Sequence, residues 1–262
     1  LGAGHHARRT RHETGPMSTL QGRRCLITGA SGALGAAMAR RLARDGVHLL
    51  LHANTRLDAV QALADEIAAA GGVAQAIAFD VTDAAAAQSA CERLLADGPV
   101  QIIVNNAGIH DDAVFPGMKA EQWHRVIDVS LHGFFRVTQP LTLPMLRTRW
   151  GRIINISSVA GRVPSAGAGV YNLTKHGVGA VSEALRQEAS RHGVRVTIIE
   201  PGFVETELQS HNRPEVHEKL KERVSKIEPL HAHDIADAIE YAVTRPAHVS
   251  LNELLIRPTT QP

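Results

Sequence analysis

The feature that most restricts how this chain can fold is an alternation. Seven short apolar runs, near 24–28, 47–52, 74–79, 100–104, 152–156, 194–199 and 253–257, take turns with six longer Ala-rich or amphipathic segments at 34–45, 56–70, 83–97, 119–148, 170–191 and 232–244. Short apolar runs read as strands and the longer periodic segments as helices. Parallel neighbours in a sheet need crossover connections, and the helices supply them. The pattern therefore predicts an α/β fold: a single-domain, doubly wound, parallel seven-stranded sheet with helices on both faces. No repeat, low-complexity tract or internal linker divides it, and 262 residues suit one such domain. Sheets of this type bind ligands at the carboxyl ends of their strands, around the point where strand order reverses.

The strand ends carry the chemistry. The first strand runs directly into Thr28-Gly29-Ala30-Ser31-Gly32-Ala33-Leu34-Gly35 and then a helix. Glycines at a strand–helix junction let backbone approach a phosphate, which a helix N-terminus attracts. The second strand ends in His52-Ala53-Asn54-Thr55-Arg56, with no acid before Asp58 to hold a ribose 2′-hydroxyl. Arg56, with His52 as a second candidate, could face a 2′-phosphate, so the expected cofactor is NADPH rather than NADH. The third strand ends in Phe79-Asp80-Val81 and the fourth in Asn105-Asn106-Ala107-Gly108. Asp80 could serve the site or, with Thr82 and Asp83, cap the next helix. The sixth strand ends in Glu200-Pro201-Gly202-Phe203-Val204-Glu205-Thr206, followed to about Glu228 by a charged stretch of weak periodicity, a lid or a surface helix.

Between Gly151 and Lys175 a strand-like start breaks at Ser157-Ser158, crosses a Gly/Ser/Pro-rich loop and enters a helix bearing Tyr171 and Lys175. Residues four apart share a helix face, so phenol and ammonium are neighbours. A phenol titrates near 10, and lowering it by about three units takes roughly 4 kcal/mol of phenolate stabilisation, which an adjacent cation could largely supply. Ser158 could hold a carbonyl oxygen while Tyr171 protonates it.

Composition excludes several classes. Residues 1–16 hold three Arg and one Glu, which accounts for the whole net charge of +2. The balanced remainder offers no footprint for nucleic acid or an anionic membrane, and no apolar run approaches the ~20 residues that span a bilayer. Residues 1–19 read as a disordered leader, with Met17 an alternative start and Arg8-Arg9 accidental for want of an apolar signal segment. Cys25 and Cys91 are too few for a disulfide framework and read as core residues of a reduced compartment, the cytoplasm.

Taken together, TG…G at 28–35, DVT at 80–82, NNAG at 105–108, Ser158 thirteen before Tyr171, YNLTK at 171–175 and PG…T at 201–206 resemble the short-chain dehydrogenase/reductase family across residues 20–259. The resemblance implies that residues 20–262 form one dinucleotide-binding reductase domain including a substrate loop at 205–228. It implies Tyr171 as general acid/base, Ser158 as the carbonyl-orienting hydroxyl, and Lys175 as the cation that lowers the phenol's pKa and binds the nicotinamide ribose. Gly29, Ser31 and Gly35 would surround the pyrophosphate, with Asn54 and Arg56 at the second strand. Asp80 and Val81 would lie at the adenine edge, and Asn106, Ala107 and Gly108 along the ribose region. Pro201, Gly202, Val204 and Thr206 would lie at the nicotinamide end. The family commonly forms homodimers or homotetramers through the helices at 119–148 and 170–191 and the final strand. The implied reaction is reversible reduction of a small-molecule ketone or aldehyde; the alternative is reduction of a 3-oxoacyl group on acyl carrier protein, to which residues 20–155 are similar. The second half is instead similar to clavulanate and 3-hydroxy acid dehydrogenases. No metal is implied.

Two positions depart from the family pattern. Ala33 stands where a glycine is usual, and the Gly29, Gly32, Gly35 spacing fits an epimerase-type branch whose larger C-terminal region has no counterpart here. Ser130, in Asp128-Val129-Ser130-Leu131-His132-Gly133, replaces an asparagine that supports a water beside the lysine. Ser130 would hold that water or slow the relay. Both departures also fit a catalytically idle dinucleotide-binding protein.

Overall fold

Seven strands pair in the order β3-β2-β1-β4-β5-β6-β7, and every ladder is parallel. They are β1 (Arg24–Ile27), β2 (His48–Ala53), β3 (Val73–Ala78), β4 (Ile102–Asn105), β5 (Gly151–Ile156), β6 (Val194–Pro201) and β7 (Glu253–Ile256). The computed structural model describes residues 19–205 and 227–261. The expected leader, apart from Thr19, most of the expected substrate loop, and Thr206 lie outside the described residues. Because order runs outward from β1 on one side and from β4 on the other, the crossovers diverge there. That leaves a crevice over the carboxyl ends of β1 and β4.

The inner strands β1, β2, β4, β5 and β6 are rich in apolar residues because both their faces are buried, whereas the edge strands β3 and β7 are partly exposed. Successive side chains point to opposite faces, and the core divides accordingly. Cys25, Ile27, Leu49, Leu51, Ile102, Val104 and Ile154 pack on one side against α1 (Ala33–Ala43), α2 (Leu57–Ala69) and α7 (Ala232–Thr244), through Met38, Leu42, Leu63, Ile67, Ile235 and Ile239. Leu26, Leu50, Ile103 and Ile153 face the other side, against α3 (Ala84–Ala96) and α5 (Gly133–Arg147), through Leu94, Val137, Leu141 and Met145. Both cysteines are fully buried free thiols, Cys25 in the first layer and Cys91 in the second. Burial pushes both thiols up, Cys91 to about 11, so neither is a nucleophile near neutrality.

The helix expected over 119–148 is interrupted. It forms α4 (Ala120–Ile127), a wide π turn at Asp128–His132, and α5, with the Asp128 carboxylate and His132 Nδ1 2.6 Å apart across the turn. Gly133 permits the turn to dock on β3's extension, since a Cβ there would stand 2.8 Å from the Val81 side chain. Ser130, within this turn, is buried. Helix α6 (Gly169–Ala189) runs from the loop after β5 and carries Tyr171 and Lys175 in its first turns.

The glycine turn is built for close approach. Gly29 has φ +66°, and a Cβ on Gly35 would meet the Gly29 oxygen at 2.5 Å and the Ala30 Cα at 2.7 Å. Ala33 opens α1 with its methyl exposed, so the turn accommodates it without displacement. Backbone cannot give way as a side-chain tip can. Gly35→Ala is therefore expected to lower the unfolding free energy by about 1–3 kcal/mol, read by chemical denaturation; an unchanged midpoint and slope would contradict the packing.

Candidate active site

Polar side chains stitch the strand ends before any of them is available for chemistry. Thr28 Oγ1 accepts from the backbone N–H groups of Asn106 and Ala107, both at 3.0 Å. Asn106 Nδ2 donates to the Thr28 and Gly29 carbonyls at 2.9 and 3.1 Å. The turn after β1 is thus fastened to the end of β4. On its other side, Gly29 N–H donates to His52 Nδ1 at 3.3 Å while His52 Nε2 meets the Phe79 carbonyl at 2.9 Å. A carbonyl partner makes Nε2 the protonated nitrogen and leaves Nδ1 as acceptor. Burial pushes the imidazole below its ordinary pKa. His52 is therefore a neutral staple joining three strand ends, which corrects the expectation that it could face a phosphate as a cation. Deeper in the sheet, Asn105 Nδ2 bridges Thr138 Oγ1 and Asn155 Oδ1, at 2.9 and 2.8 Å.

One cavity of about 1540 Å³ follows these ends. Gly29, Ser31 and Gly35 form its wall at the glycine turn, and Asn54 and Arg56 at the end of β2. Asp80 and Val81 line it after β3, and Asn106, Ala107 and Gly108 after β4. Ser158, Tyr171, Lys175, Pro201, Gly202 and Val204 close the other end. No acidic side chain borders it at the end of β2. Asp80 Oδ1 accepts from the backbone and hydroxyl of Thr82 at 2.8 and 2.7 Å, whereas the cap of α3 is Asp83, accepting from Ala85 and Ala86. The capping role is thus Asp83's and not Asp80's.

At the other end of the cavity, Ser158 leads a short 3-10 turn, accepting from Ala160 N–H at 3.2 Å and donating to the Pro201 carbonyl at 3.5 Å. Its hydroxyl also favours ionisation of Tyr171. Lys175 Nζ lies 5.5 Å from the centre of the Tyr171 ring and donates to the Ile156 carbonyl at 2.7 Å. Both side chains are buried. Burial pushes the phenol up to about 12, against the lowering effect of the Ser158 hydroxyl and with a further push from Asp112. Burial also holds the ammonium down to about 8. Burial, the largest influence on the phenol, sets the direction of its shift.

Ser130 does not border the large cavity. It is buried, its Oγ makes no hydrogen bond among the described residues, and it lines a second cavity of about 20 Å³ shared with Asn105 and Lys175. That volume suffices for one water. Sequence reasoning missed His110, whose ring lies 3.8 Å from that of Tyr171 with 28° between planes. Only its place two residues past NNAG could have flagged it. Arg257 and Gln261, from the end of β7 onward, also border the cavity unforeseen.

A family model described as short chain dehydrogenase matches residues 23–217. The chain is 36% identical over 251 residues to glycine betaine reductase ATRR of Emericella nidulans, covering 94% of this chain but 19% of that protein, so it spans about a fifth of that relative's length. It is 36% identical over 242 residues to serine 3-dehydrogenase of Rhizobium radiobacter, covering 90% of this chain and 94% of that one. Among solved structures, a metagenomic short-chain oxidoreductase in complex with NADP superposes with a TM-score of 0.79 at 30% identity, covering 93% of this chain and 100% of the other.

The lysine sets a pH signature. In the folded protein Lys175 loses its proton above about 8, whereas an ordinary lysine keeps it to 10.5. Between those values the unfolded chain binds more protons, so stability rises with pH; the contribution is complete above the unfolded value and lost as pH falls through the folded one. Tyr171 acts oppositely only above its ordinary value of 10.0. From pH 8 to 10 the wild type should thus gain about 2–3 kcal/mol of stability relative to Lys175→Met in urea unfolding. Parallel pH dependences would contradict a buried, depressed lysine.

Proposed function

We propose that this chain, which belongs to the short-chain dehydrogenase family, is an NADPH-dependent oxidoreductase that reversibly reduces a ketone or aldehyde to an alcohol. The observation that carries this reading is the shared cavity, with a phosphate-sized backbone turn at one end and Ser158, Tyr171 and Lys175 at the other. The residues fit a dinucleotide: Gly29 and Gly35 leave backbone where a Cβ would block approach, and the end of β2 presents Arg56 and no acid. The relative solved with NADP supports the same choice of cofactor. Gly29, Ser31 and Gly35 would hold the pyrophosphate, Asn54 and Arg56 the 2′-phosphate, and Asp80 and Val81 the adenine edge. Asn106, Ala107, Gly108 and Lys175 would hold the nicotinamide ribose, and Pro201, Gly202 and Val204 the nicotinamide.

When bound, the dinucleotide supplies the hydride for the carbonyl carbon. The protein supplies the rest. Ser158 Oγ orients the carbonyl oxygen by hydrogen bonding, and Tyr171 gives its hydroxyl proton to that oxygen as negative charge develops there. In oxidation the phenolate takes the proton back. An ammonium held down to about 8 surrenders a proton more readily than an ordinary lysine, so Lys175 can reprotonate Tyr171. Ser130 and the small cavity beside Lys175 would complete the path with one water, the serine hydroxyl serving where the family pattern has an amide.

Phe135, Leu143, Leu173 and Val181 are exposed apolar side chains on α5 and α6, and they support a homodimer or homotetramer joined through those helices. Two buried free thiols support a reduced, cytoplasmic setting. No helix among the described residues is long and apolar enough to cross a membrane.

The direct test follows NADPH absorbance over a panel of ketones, aldehydes and one 3-oxoacyl thioester. Tyr171→Phe is expected to lower kcat by about a hundred-fold or more while leaving the NADPH Kd within about two-fold. Ser158→Ala should lower kcat more than it raises KM. Arg56→Ala should weaken NADPH about tenfold and leave NADH unaffected. Near-normal turnover in Tyr171→Phe would remove the phenol from the mechanism.

A further inference from the structure

The loop after β4 folds back over the catalytic phenol. His110 lies on the Tyr171 ring, 3.8 Å between centroids and 28° between planes, within the range of an offset aromatic stack. Its Nδ1 pairs with the Asp112 carboxylate at 3.1 Å, and Asp112 is itself buried. Next to them Asp111 accepts from Gln122 Nε2 at 2.6 Å and pairs with Arg125, which ties the loop to α4. Two polar attachments hold this segment, Asn106 on the glycine turn and Asp111 on α4, and within it Asp112 holds His110. The ring they position borders the cavity beside Tyr171.

We propose that His110 and Asp112 are positioning residues for Tyr171: the imidazole lies flat on the phenol ring and fixes its plane, and the carboxylate that holds the imidazole keeps negative charge near the phenol, so that the pair maintains Tyr171 in its protonated, proton-giving form. The inference rests on the reading of Tyr171 as the proton donor. The charges facing the phenol come from every packed element. Lys175 on α6 favours phenolate but donates to the Ile156 carbonyl. The Ser158 hydroxyl also favours phenolate, and Asp112 opposes it. Asp111 is neutralised by Arg125. Among the described residues Asp112 acts against ionisation, and His110 is both its partner and the phenol's cover. The arrangement suits carbonyl reduction, which begins with the proton on Tyr171.

The chain has two tyrosines, and Tyr241 is exposed on α7. A Tyr241→Phe protein therefore reports Tyr171 alone through the ultraviolet band of tyrosinate, with no substrate needed. The phenolate band should appear above the ordinary tyrosine range. Asp112→Asn, which keeps an oxygen for His110 Nδ1–H but removes the charge, should move the midpoint down by about one unit. His110→Ala, which uncovers the ring, should lower it as well. A midpoint unmoved in both variants overturns the proposal.

A kinetic arm stands beside the titration. With a carbonyl the wild type reduces, His110→Ala should lower kcat roughly tenfold at unchanged NADPH Kd, and His110→Phe, which restores a flat ring, should recover most of it. Wild-type kcat in His110→Ala, or no recovery in His110→Phe, overturns the positioning role. If circular dichroism shows alkaline unfolding before the phenol titrates, the kinetic arm decides. If the wild type reduces no carbonyl, the oxidoreductase reading of Tyr171 fails, while the titration still decides whether His110 and Asp112 hold its proton.

Discussion

Everything in this protein follows from burying a parallel sheet on both faces. Parallel strands cannot be joined by hairpins, so each connection crosses a face as a helix, and all carboxyl ends emerge along one edge. Helices α1, α2 and α7 cover one side and α3 and α5 the other, each contributing a contiguous apolar layer. Where crossovers diverge between β1 and β4, no helix among the described residues closes the edge, and the cavity opens there. The core is thus responsible for the position of the site as well as for stability.

An edge of this kind would leave backbone groups unsatisfied were it not stitched. Thr28, His52 and Asn106 spend their polar atoms on neighbouring strand ends, which fastens the glycine turn to β2, β3 and β4. The cost of burying polar groups without partners explains why such side chains occupy these positions. At the opposite end the same logic is incomplete by design. Ser130 Oγ makes no hydrogen bond among the described residues, and a water-sized cavity lies against it and Lys175. Tyr171 and Lys175 are both pushed toward their neutral forms by burial.

Much of this was legible in the sequence, and the reasons are physical. All seven strands were visible as short apolar-rich runs, the inner ones such as Ile153-Ile154-Asn155-Ile156 because both of their faces are covered. The cavity wall was largely visible because polar and glycine residues at strand ends have few structural alternatives. The π turn at Asp128–His132 was not visible, since those five residues suit an ordinary helix and only the contact of Gly133 with Val81 distinguishes it. His52 could be placed at a strand end but not given a role, because its ring partners, Gly29 and Phe79, belong to other strands' loops. The Tyr171–Lys175 adjacency was readable, whereas the sign of the pKa shift was not: burial is a property of the packed whole. His110 was missed for the same reason, since only folding brings that loop over α6.

The central claim is that one cavity delivers hydride to carbon and a proton to oxygen of the same carbonyl. The measurement that bears on it most directly uses NADPH carrying deuterium at the transferable C4 position, with a ketone the protein consumes and mass and proton spectra of the alcohol. One deuterium at the carbinol carbon, transferred from a single face of the nicotinamide with no exchange into solvent, is the expected result. Product without the label, or label washed into water, would contradict direct transfer in this site.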